Sequence, residues 1–351
     1  YFLDQCLDSV VKAIKNVSAE VIIVDNNSVD GSLNMLSKKY PQFKLIANKF
    51  NGGFSKANNQ AIKEANGEYI LLLNPDTVVE EETFSKTIAF MDSHPNSGGL
   101  GVHMIDGRGR FLPESKRGLP TPMVAFYKIF GFSSLFPKSK RFGQYHLGHL
   151  SQFETNIVDV LSGAFMMMRK ETLDKVGLLD EDFFMYGEDI DLSYRITLGG
   201  YDNYYFSETT IIHYKGESTK KSSVNYVFVF YRAMIIFAKK HFGGNNAKLY
   251  SLLINLAIYL RASFAMIVRV VKQLFLPFID LIYLITGLYA LTNYWKISNI
   301  DFPKELIAYS IPIYAITWLS TTIFNGGYDS PYKFFKLIKG VFWGTIFILV
   351  A

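Results

Sequence analysis

The stretch Glu20-Val-Ile-Ile-Val-Asp25 decides the fold class of this 351-residue chain. It is a short apolar run that ends in turn-forming residues, a pattern typical of a buried parallel strand. The pattern recurs at residues 43–47 and 69–73, and helix-like stretches occupy residues 31–40, 54–65 and 80–93. Strands that alternate with helices of this length predict βαβ units, and therefore an α/β fold with a mostly parallel sheet and flanking helices.

Polar residues follow each predicted strand, at 25–28, 48–53 and 74–76. In open α/β sheets, ligands bind beyond the carboxyl ends of the strands, so we expect the functional site at this edge. The chain begins at Tyr1 directly in a helix-like segment. Because a sheet of this type normally starts with a strand, we expect that a first strand is missing.

Composition divides the chain into two parts, as its length also suggests at about 150 residues per domain. The first 250 residues hold 28 basic and 27 acidic side chains, and the last 101 hold eight basic and four acidic ones. The basic excess therefore belongs to a hydrophobic tail, which indicates a membrane surface and argues against nucleic acid as a partner. The single cysteine, Cys6, excludes an internal disulfide, and we expect it to be buried on the first helix.

The tail predicts membrane helices. Residues 306–324 carry no charge over 19 positions, and residues 273–295 carry one charge over 23, so each is long enough to cross a bilayer. Residues 340–351 are apolar and predict a third, truncated span. We therefore expect a catalytic domain over residues 1–245 and a membrane region over 246–351. A soluble helical domain with an apolar core is the alternative.

Residues 249–271 either span the membrane or lie flat in its interface, with Arg261, Arg269 and Lys272 on one basic face. The flat arrangement places the lysines of residues 333–339 on the same side as the N-terminal domain. The positive-inside rule then predicts a cytoplasmic N-terminal domain. An aromatic insertion at residues 113–156 offers a second surface for lipid headgroups, although ordinary packing is the favoured interpretation.

Candidate chemistry lies at the strand ends. Asp76, in Asn74-Pro75-Asp76, is placed to bind a divalent cation that holds a diphosphate, although aspartate in this position is commonly a turn former. Asp25 to Ser32 offers polar groups for a base and ribose, or simply a capped turn. Asn51-Gly52-Gly53-Phe54 precedes a helix, whose N-terminus favours an anion. The absence of G-x-G-x-x-G and of a P-loop argues against dinucleotide and NTPase chemistry.

Two later motifs complete the candidates. Glu188 and Asp189 follow Gly187 and open a helix-like segment, where a carboxylate could accept a proton from a hydroxyl nucleophile. Acidic residues are also common in a first helical turn for structural reasons. His213 ends an apolar strand and, near Asp76, would be a reasonable metal ligand.

These segments, in this order, resemble family 2 glycosyltransferases with the GT-A fold, in particular the rhamnosyltransferase-like bacterial branch. The resemblance covers roughly residues 1–245. Its motifs are Asp25-Asn26-Asn27-Ser28-Val29-Asp30-Gly31-Ser32, Asn51-Gly52-Gly53-Phe54 with Asn58, Asn74-Pro75-Asp76, Ser162-Gly163-Ala164-Phe165, Asp180-Glu181-Asp182-Phe183-Phe184, Gly187-Glu188-Asp189-Ile190-Asp191 and His213 to Ser218.

The resemblance implies inverting transfer of a sugar from a nucleotide-diphosphate sugar. It implies Asp189 as the catalytic base supported by Glu188, and Mg²⁺ or Mn²⁺ held by Asp76 and His213. Contacts to the nucleotide sugar are implied for Asp25, Asn26, Asn27, Asn51, Gly52, Gly53, Asn58 and Asn74, and a border of the sugar and acceptor pocket for Ser162, Gly163 and Ala164. The usual D-x-D motif begins here with Asn74, which removes one possible metal ligand.

We therefore expect an enzyme of the bacterial inner membrane, with its catalytic domain on the cytoplasmic side. It would elongate a saccharide or lipid-linked saccharide in cell-surface polysaccharide synthesis, with polysaccharide-assembly proteins as candidate partners. The Q-x-x-R-W motif of processive synthases is absent. The alternatives are transfer to a polyprenyl phosphate and a non-catalytic membrane scaffold with a degenerate transferase domain.

Overall fold

The computed structural model describes residues 1–214, 224–242, 245–297, 303–329 and 334–350. The chain divides into two compact units, Tyr1–Ile258 and Tyr259–Ala351. The sequence places the domain boundary at 245/246, and that boundary stays a prediction.

The first unit alternates strands and helices along its N-terminal half, in the predicted order. Its strands are β1 (Ile22–Asp25), β2 (Lys44–Ala47), β3 (Tyr69–Leu73), β4 (Thr77–Val79), β5 (Ser97–Ile105), β6 (Asn156–Ile157), β7 (Phe165–Arg169) and β8 (Asp202–His213). Its helices are α1 (Phe2–Ala13), α2 (Ser32–Lys39), α3 (Phe54–Glu64), α4 (Thr83–Ser93), α5 (Pro122–Ile129), α6 (Phe132–Leu135), α7 (Lys170–Val176), α8 (Glu188–Leu198) and α9 (Val224–His241).

The strands form two sheets. β1 and β2 pair in parallel as a separate two-stranded sheet. The six-stranded sheet has the order β3-β7-β5-β8-β4, with β6 also paired to β8. Among its described strands, β5 and β8 form the one parallel pairing, and the other neighbouring strands pair antiparallel. The predicted α/β class with flanking helices is confirmed, and the sheet is mixed rather than mostly parallel. The reason is β7, which enters between β3 and β5 and runs antiparallel to both, so that Met167 opposes Leu71 and Leu100.

Side-chain alternation on β3 divides the core between the two faces of this sheet. Ile70 and Leu72 pack in one hydrophobic cluster with Met168 of β7, whereas Leu71 packs in another cluster that includes Cys6 of α1. This is the period of two expected of a strand that is covered on both faces. Cys6 is buried, as predicted, and burial raises the pKa of its thiol to about 11.

The second unit and the chain leading into it are helical. The helices are α10 (Asn245–Ile297), α11 (Lys304–Phe324) and α12 (Phe334–Val350). The segments Leu274–Ile297 and Lys304–Phe324 are long and apolar enough to cross a membrane. α10 runs without a break through residues 249–271 and 273–295, for which the sequence predicts two separate helices. The side chains of Arg261, Arg269 and Lys272, and all of Lys333, lie outside the described residues.

Glycines bring α11 and α12 together. A Cβ atom on Gly340 would lie 2.4 Å from Thr322 Cα, and one on Gly344 would lie 2.6 Å from Trp318 Cδ1. The Trp318 indole also donates to Thr345 Oγ1 at 3.1 Å. Small residues at a helix–helix contact allow the two backbones to approach closely, as they do between helices in membranes.

Candidate active site

The Asn74-Pro75-Asp76 motif follows β3 and leads into β4, whose antiparallel pairing with β8 sets Thr77 opposite His213. Asp76 and His213 therefore lie side by side, with Oδ1 of the carboxylate 3.3 Å from Nε2 of the imidazole. Both residues are buried, and Asp76 Oδ1 and His213 Nδ1 have no hydrogen-bond partner within the structure as described. Unpaired buried polar atoms of this kind are costly unless a ligand or another partner satisfies them.

This pair suits a divalent cation whose remaining ligands come from outside the protein. Across the described ranges, no cluster of three or more His, Cys, Asp or Glu side chains could hold a metal by itself. Mg²⁺ commonly takes one or two carboxylates and completes its octahedron with substrate phosphates and water. Asp76 and His213 fit that role, and Asn74, where the motif usually has a second aspartate, offers no carboxylate.

The predicted nucleotide edge is a hydrogen-bonded group at the ends of β1 and β2. Asp25 is buried, and its carboxylate accepts from Ser28 N at 3.0 Å. The Asn26 amide donates to Gly53 O at 3.0 Å and its carbonyl accepts from the Asn48 amide at 3.0 Å. These bonds fix the two strand ends to each other and leave Asn27, at a positive φ of 66°, exposed on the surface.

Gly53 joins this edge to the Asp180–Phe184 loop. Its φ is +90°, and a Cβ atom would lie 2.6 Å from Phe184 O, so only glycine fits there without a shift. The next amide, Phe54 N, donates to Phe184 O at 2.8 Å. Asn51 accepts from Gly53 N at 3.0 Å and so shapes the same turn.

Asp189 lies in the first turn of α8, after Gly187 at a φ of +88°. Its carboxylate forms an ion pair with the Arg117 guanidinium, and the two side chains are 15% and 11% exposed. Gly163 N lies 3.4 Å from the same carboxylate oxygen. The preceding carboxylate, Glu188, is buried, and its Oε2 has no described partner. Burial, reinforced by the negative charge of Asp189, raises the pKa of Glu188 to about 8.

A backbone bond links the carboxylate motif to the Asn74 motif. Asn74 N donates to Ala164 O at 3.0 Å, one residue from the Gly163 amide that faces Asp189. Asp25, Asn26, Asn58, Asn74 and Asp76 also line one cavity of about 1350 Å³, together with apolar residues of α1, β1 and β3.

The other predicted site residues are not among those lining this cavity. They are Asn27, Asn51, Gly52, Gly53, Ser162, Gly163, Ala164, Glu188, Asp189 and His213. The Asn58 amide donates to Phe54 O at 2.9 Å, within its own helix. Five predicted residues thus line this cavity, which we call the strand-end cavity. His213 lies beside one of them, Asp76, and the Asn74–Ala164 backbone hydrogen bond connects the cavity to the segment that faces Asp189.

Sequence reasoning missed three polar residues that hold the site. Arg117 binds Asp189 and also donates to Leu161 O. Asn59, buried on α3, donates to Leu179 O at 2.8 Å and accepts from Leu179 N at 3.1 Å. His241, on α9, lies 2.6 Å from Asp191 of α8. No sequence signal pointed to Arg117, since Glu114 lies only three positions from it and Asp189 lies 72 positions away.

The chain is similar to several known proteins. N-acetylglucosaminyl-diphospho-decaprenol L-rhamnosyltransferase of Mycobacterium tuberculosis (strain CDC 1551 / Oshkosh) is 24% identical over 65% of this chain and 78% of its own length. Rhamnosyltransferase WbbL of Escherichia coli (strain K12) is 26% identical over 59% of this chain and 79% of its own. The solved mannosyltransferase PcManGT from Pyrobaculum calidifontis, in complex with GDP-Man and Mn²⁺, superposes with a TM-score of 0.48 at 16% identity, covering 75% of this chain and 69% of that one.

The family model "Glycosyl transferase family 2" matches residues 2–177, half of the chain. That range includes the strand-end motifs and Ser162 to Ala164, and it ends before Glu188, Asp189 and His213. The strand-end motifs, the mixed sheet and this match together identify the chain as a glycosyltransferase that belongs to family 2.

Proposed function

We propose that this enzyme carries out an inverting, metal-dependent transfer of a hexosyl group, of the rhamnosyl type, from a nucleotide-diphosphate sugar to a saccharide or lipid-linked saccharide. The observation that carries the proposal is the position of Asp189. Its carboxylate pairs with Arg117 and faces the Gly163 amide. The next residue, Ala164, accepts a backbone hydrogen bond from Asn74 of the Asn74-Pro75-Asp76 motif. The rhamnosyltransferases among its relatives support the sugar class.

The nucleotide would bind along the strand-end cavity, against Asp25 and Asn26, with its diphosphate toward Asp76 and His213. Mg²⁺ or Mn²⁺, when bound there, would neutralise charge that develops on the diphosphate leaving group. Asn51, Gly52, Gly53, Asn58 and Asn74 complete this donor half in the proposal. The close approach of Gly53 to the Phe184 backbone keeps that half joined to the loop before α8.

The acceptor would bind on the side of Ser162, Gly163 and Ala164. Asp189 would remove the proton of the acceptor hydroxyl as its oxygen forms a bond to the anomeric carbon and the bond from that carbon to the diphosphate breaks. Burial and the neighbouring carboxylate raise the pKa of Glu188 to about 8, which favours its neutral form beside the proposed base. Arg117 fixes the direction of the Asp189 carboxylate.

Asp189→Asn tests the base. A positioned general base contributes about 10²- to 10⁴-fold to a rate, so we expect kcat to fall by that factor while nucleotide-diphosphate binding is retained. Asp174→Asn, an exposed aspartate on α7, is the matched control and should turn over like the unchanged chain. Turnover of Asp189→Asn at the control rate would contradict the assignment. Transfer from no donor of a nucleotide-sugar panel would favour the alternative of a non-catalytic scaffold.

Asp76→Asn and His213→Ala test the metal without using turnover. We expect calorimetric titration with a nucleotide diphosphate to show Mn²⁺-enhanced binding to the unchanged chain, and that enhancement should be lost in both variants and in a chelator. Asp174→Asn again serves as the control. An enhancement by Mn²⁺ that survives in both variants would place the cation elsewhere.

We also propose that the chain works at the bacterial inner membrane, with the catalytic unit on the cytoplasmic side, in cell-surface polysaccharide synthesis. The two apolar helices of the C-terminal region support membrane attachment. Cytoplasmic nucleotide sugars would then be the donors, and polysaccharide-assembly proteins the neighbours. Product analysis with membranes that carry the protein would separate a saccharide acceptor from a polyprenyl phosphate.

A further inference from the structure

A long stretch of the catalytic unit carries charge of only one sign. Residues 115–153 contain six Lys or Arg and no Asp or Glu. Two of these cations point inward, since Lys116 donates to the carbonyls of Leu147 and Leu150 at 2.8 Å each, and Arg117 pairs with Asp189. Lys138, Lys140 and Arg141 are exposed. The outer surface of this segment is therefore basic, with no acid in the segment to neutralise it.

The same stretch exposes large apolar side chains. Fourteen exposed large hydrophobic residues lie within the described residues 1–214, and six of them fall between positions 123 and 136. They are Met123, Phe126, Phe130, Phe132, Leu135 and Phe136. Scattered exposed hydrophobic residues need no explanation, but this density in 14 residues marks an interaction surface. We call these six residues, with Lys138, Lys140 and Arg141, the α5–α6 surface.

The α5–α6 surface is a folded structure with its own local determinants. Thr121 caps α5 through a bond from Val124 N at 3.4 Å, and Gly131, in the left-handed region at a φ of +82°, turns the chain into α6. Among the described α5 and α6 side chains, only Val124 and Tyr127 are buried. The exposed rings contact one another instead, as Phe126 and Phe130 do at 4.5 Å between centroids. The apolar face is thus presented outward by a fixed backbone.

We propose that the α5–α6 surface docks on a lipid bilayer that contains anionic headgroups. Aromatic and aliphatic side chains enter the headgroup and acyl boundary, while neighbouring Lys and Arg attract anionic lipids. The charge decides between this occupant and a second copy of the chain, because two copies would bring the same positive surface together without a carboxylate from this stretch. The two apolar C-terminal helices are an independent reason to expect a bilayer nearby.

The residues that lead into the α5–α6 surface, 117–119, contact the residues around Asp189. Gly118 N donates to Tyr145 O at 3.2 Å and closes the base of the insertion. Leu119 N donates to Asp159 at 2.9 Å, and Arg117, the residue before Gly118, holds Asp189. An acceptor that resides in the lipid would therefore meet the proposed base where the docked insertion begins.

A fluorescent label on a single introduced cysteine tests the proposal with the full chain in lipid nanodiscs. The only native cysteine, Cys6, is buried, so Leu135→Cys can be labelled with an environment-sensitive dye. Leu198→Cys is the matched control, because the two leucines are 71% and 65% exposed and Leu198 lies at the end of α8. In discs with phosphatidylglycerol, we expect doxyl-labelled lipid to quench the dye at 135 at least three-fold more strongly than at 198.

Equal quenching at the two positions would overturn the proposal. The charge is tested by reversing Lys138 and Lys140 to Glu in the Leu135→Cys chain, which should lower quenching toward the control level. Removal of phosphatidylglycerol should also lower quenching at 135 toward the control level. Quenching at 135 that both changes leave unaltered would overturn the role of anionic headgroups. A dye shielded from water but not quenched by lipid, in discs with two chains, would assign the surface to a second copy. Since quenching reports position rather than turnover, it does not depend on sugar transfer.

Discussion

Removal of Arg117 is the most informative perturbation of this site. Methionine in its place keeps an unbranched apolar stem and leaves the Asp189 carboxylate without its cation. Breaking a buried ion pair from one side costs about 3–5 kcal/mol. Asp189 keeps the Ile190 amide at 2.8 Å and the Gly163 amide at 3.4 Å, and both partners retain some exposure, so we expect the lower end, about 3 kcal/mol.

The assay must follow the catalytic unit alone. All three tryptophans, at 295, 318 and 343, lie in the C-terminal unit, so intrinsic tryptophan fluorescence would report the wrong part of the chain. Native-state hydrogen exchange of the amides in β5 and β8 reports opening of the six-stranded sheet. A loss of about 3 kcal/mol corresponds to roughly 100-fold faster exchange of the slowest of these amides.

A double-mutant cycle with Asp189→Asn separates the ion pair from other effects of Arg117→Met. We expect the two residues to couple by about 2 kcal/mol, which lies within the range for contacting charged groups. Lys86→Met is the control, since Lys86 pairs with Glu82 at 2.9 Å on the surface and its loss should leave the exchange of the β5 and β8 amides unchanged. A coupling below about 0.5 kcal/mol would refute the view that this pair positions Asp189.

Two further predictions concern pH and backbone geometry. Burial raises the pKa of Glu188 from 4.5 to about 8, so its neutral form contributes stability that is complete below pH 4.5 and is lost as pH rises to about 8. Thermal unfolding between pH 5 and 9 should therefore show a decline that Glu188→Gln removes, and equal slopes would contradict the shift. Gly53→Ala should weaken nucleotide-diphosphate binding and speed exchange of the Phe54 amide, because its Cβ would clash with Phe184 O. Gly31→Ala, with open space around it, should leave that exchange unchanged.

Local patterns predicted the parts of the fold that depend on local sequence. β1, β2 and β3 begin and end within about two residues of the predicted strands, because each is a dense apolar run closed by turn formers. β5 was not predicted, since Gly98, Gly99 and Gly101 interrupt its apolar pattern. The antiparallel direction of β7 was not predicted either. Its pairing with β3 joins residues about 100 positions apart, and neither strand encodes that pairing by itself.

In the candidate site, too, local motifs were visible in the sequence and long-range contacts were not. The carboxylates at strand ends and at the start of α8 were visible as motifs, and their roles stay predictions. The cation that faces Asp189 was not visible, since Arg117 and Asp189 are separated by 72 positions and nothing in the spacing joins them. The aromatic insertion was noticed in the sequence, but only the structure shows that its rings face outward rather than into a core.

The placement of the site on two sheets has a consequence for how a bound donor affects the stability of this enzyme. Among the described strands, β1 and β2 pair with each other and not with the larger sheet. Asp25 ends one of these strands, and Asp76 follows a strand of the larger sheet. A nucleotide sugar bound to both would fasten the smaller sheet to the larger, adding about 2.7 kcal/mol at a concentration 100 times its dissociation constant. The donor pool would then govern the lifetime of the enzyme as well as its rate.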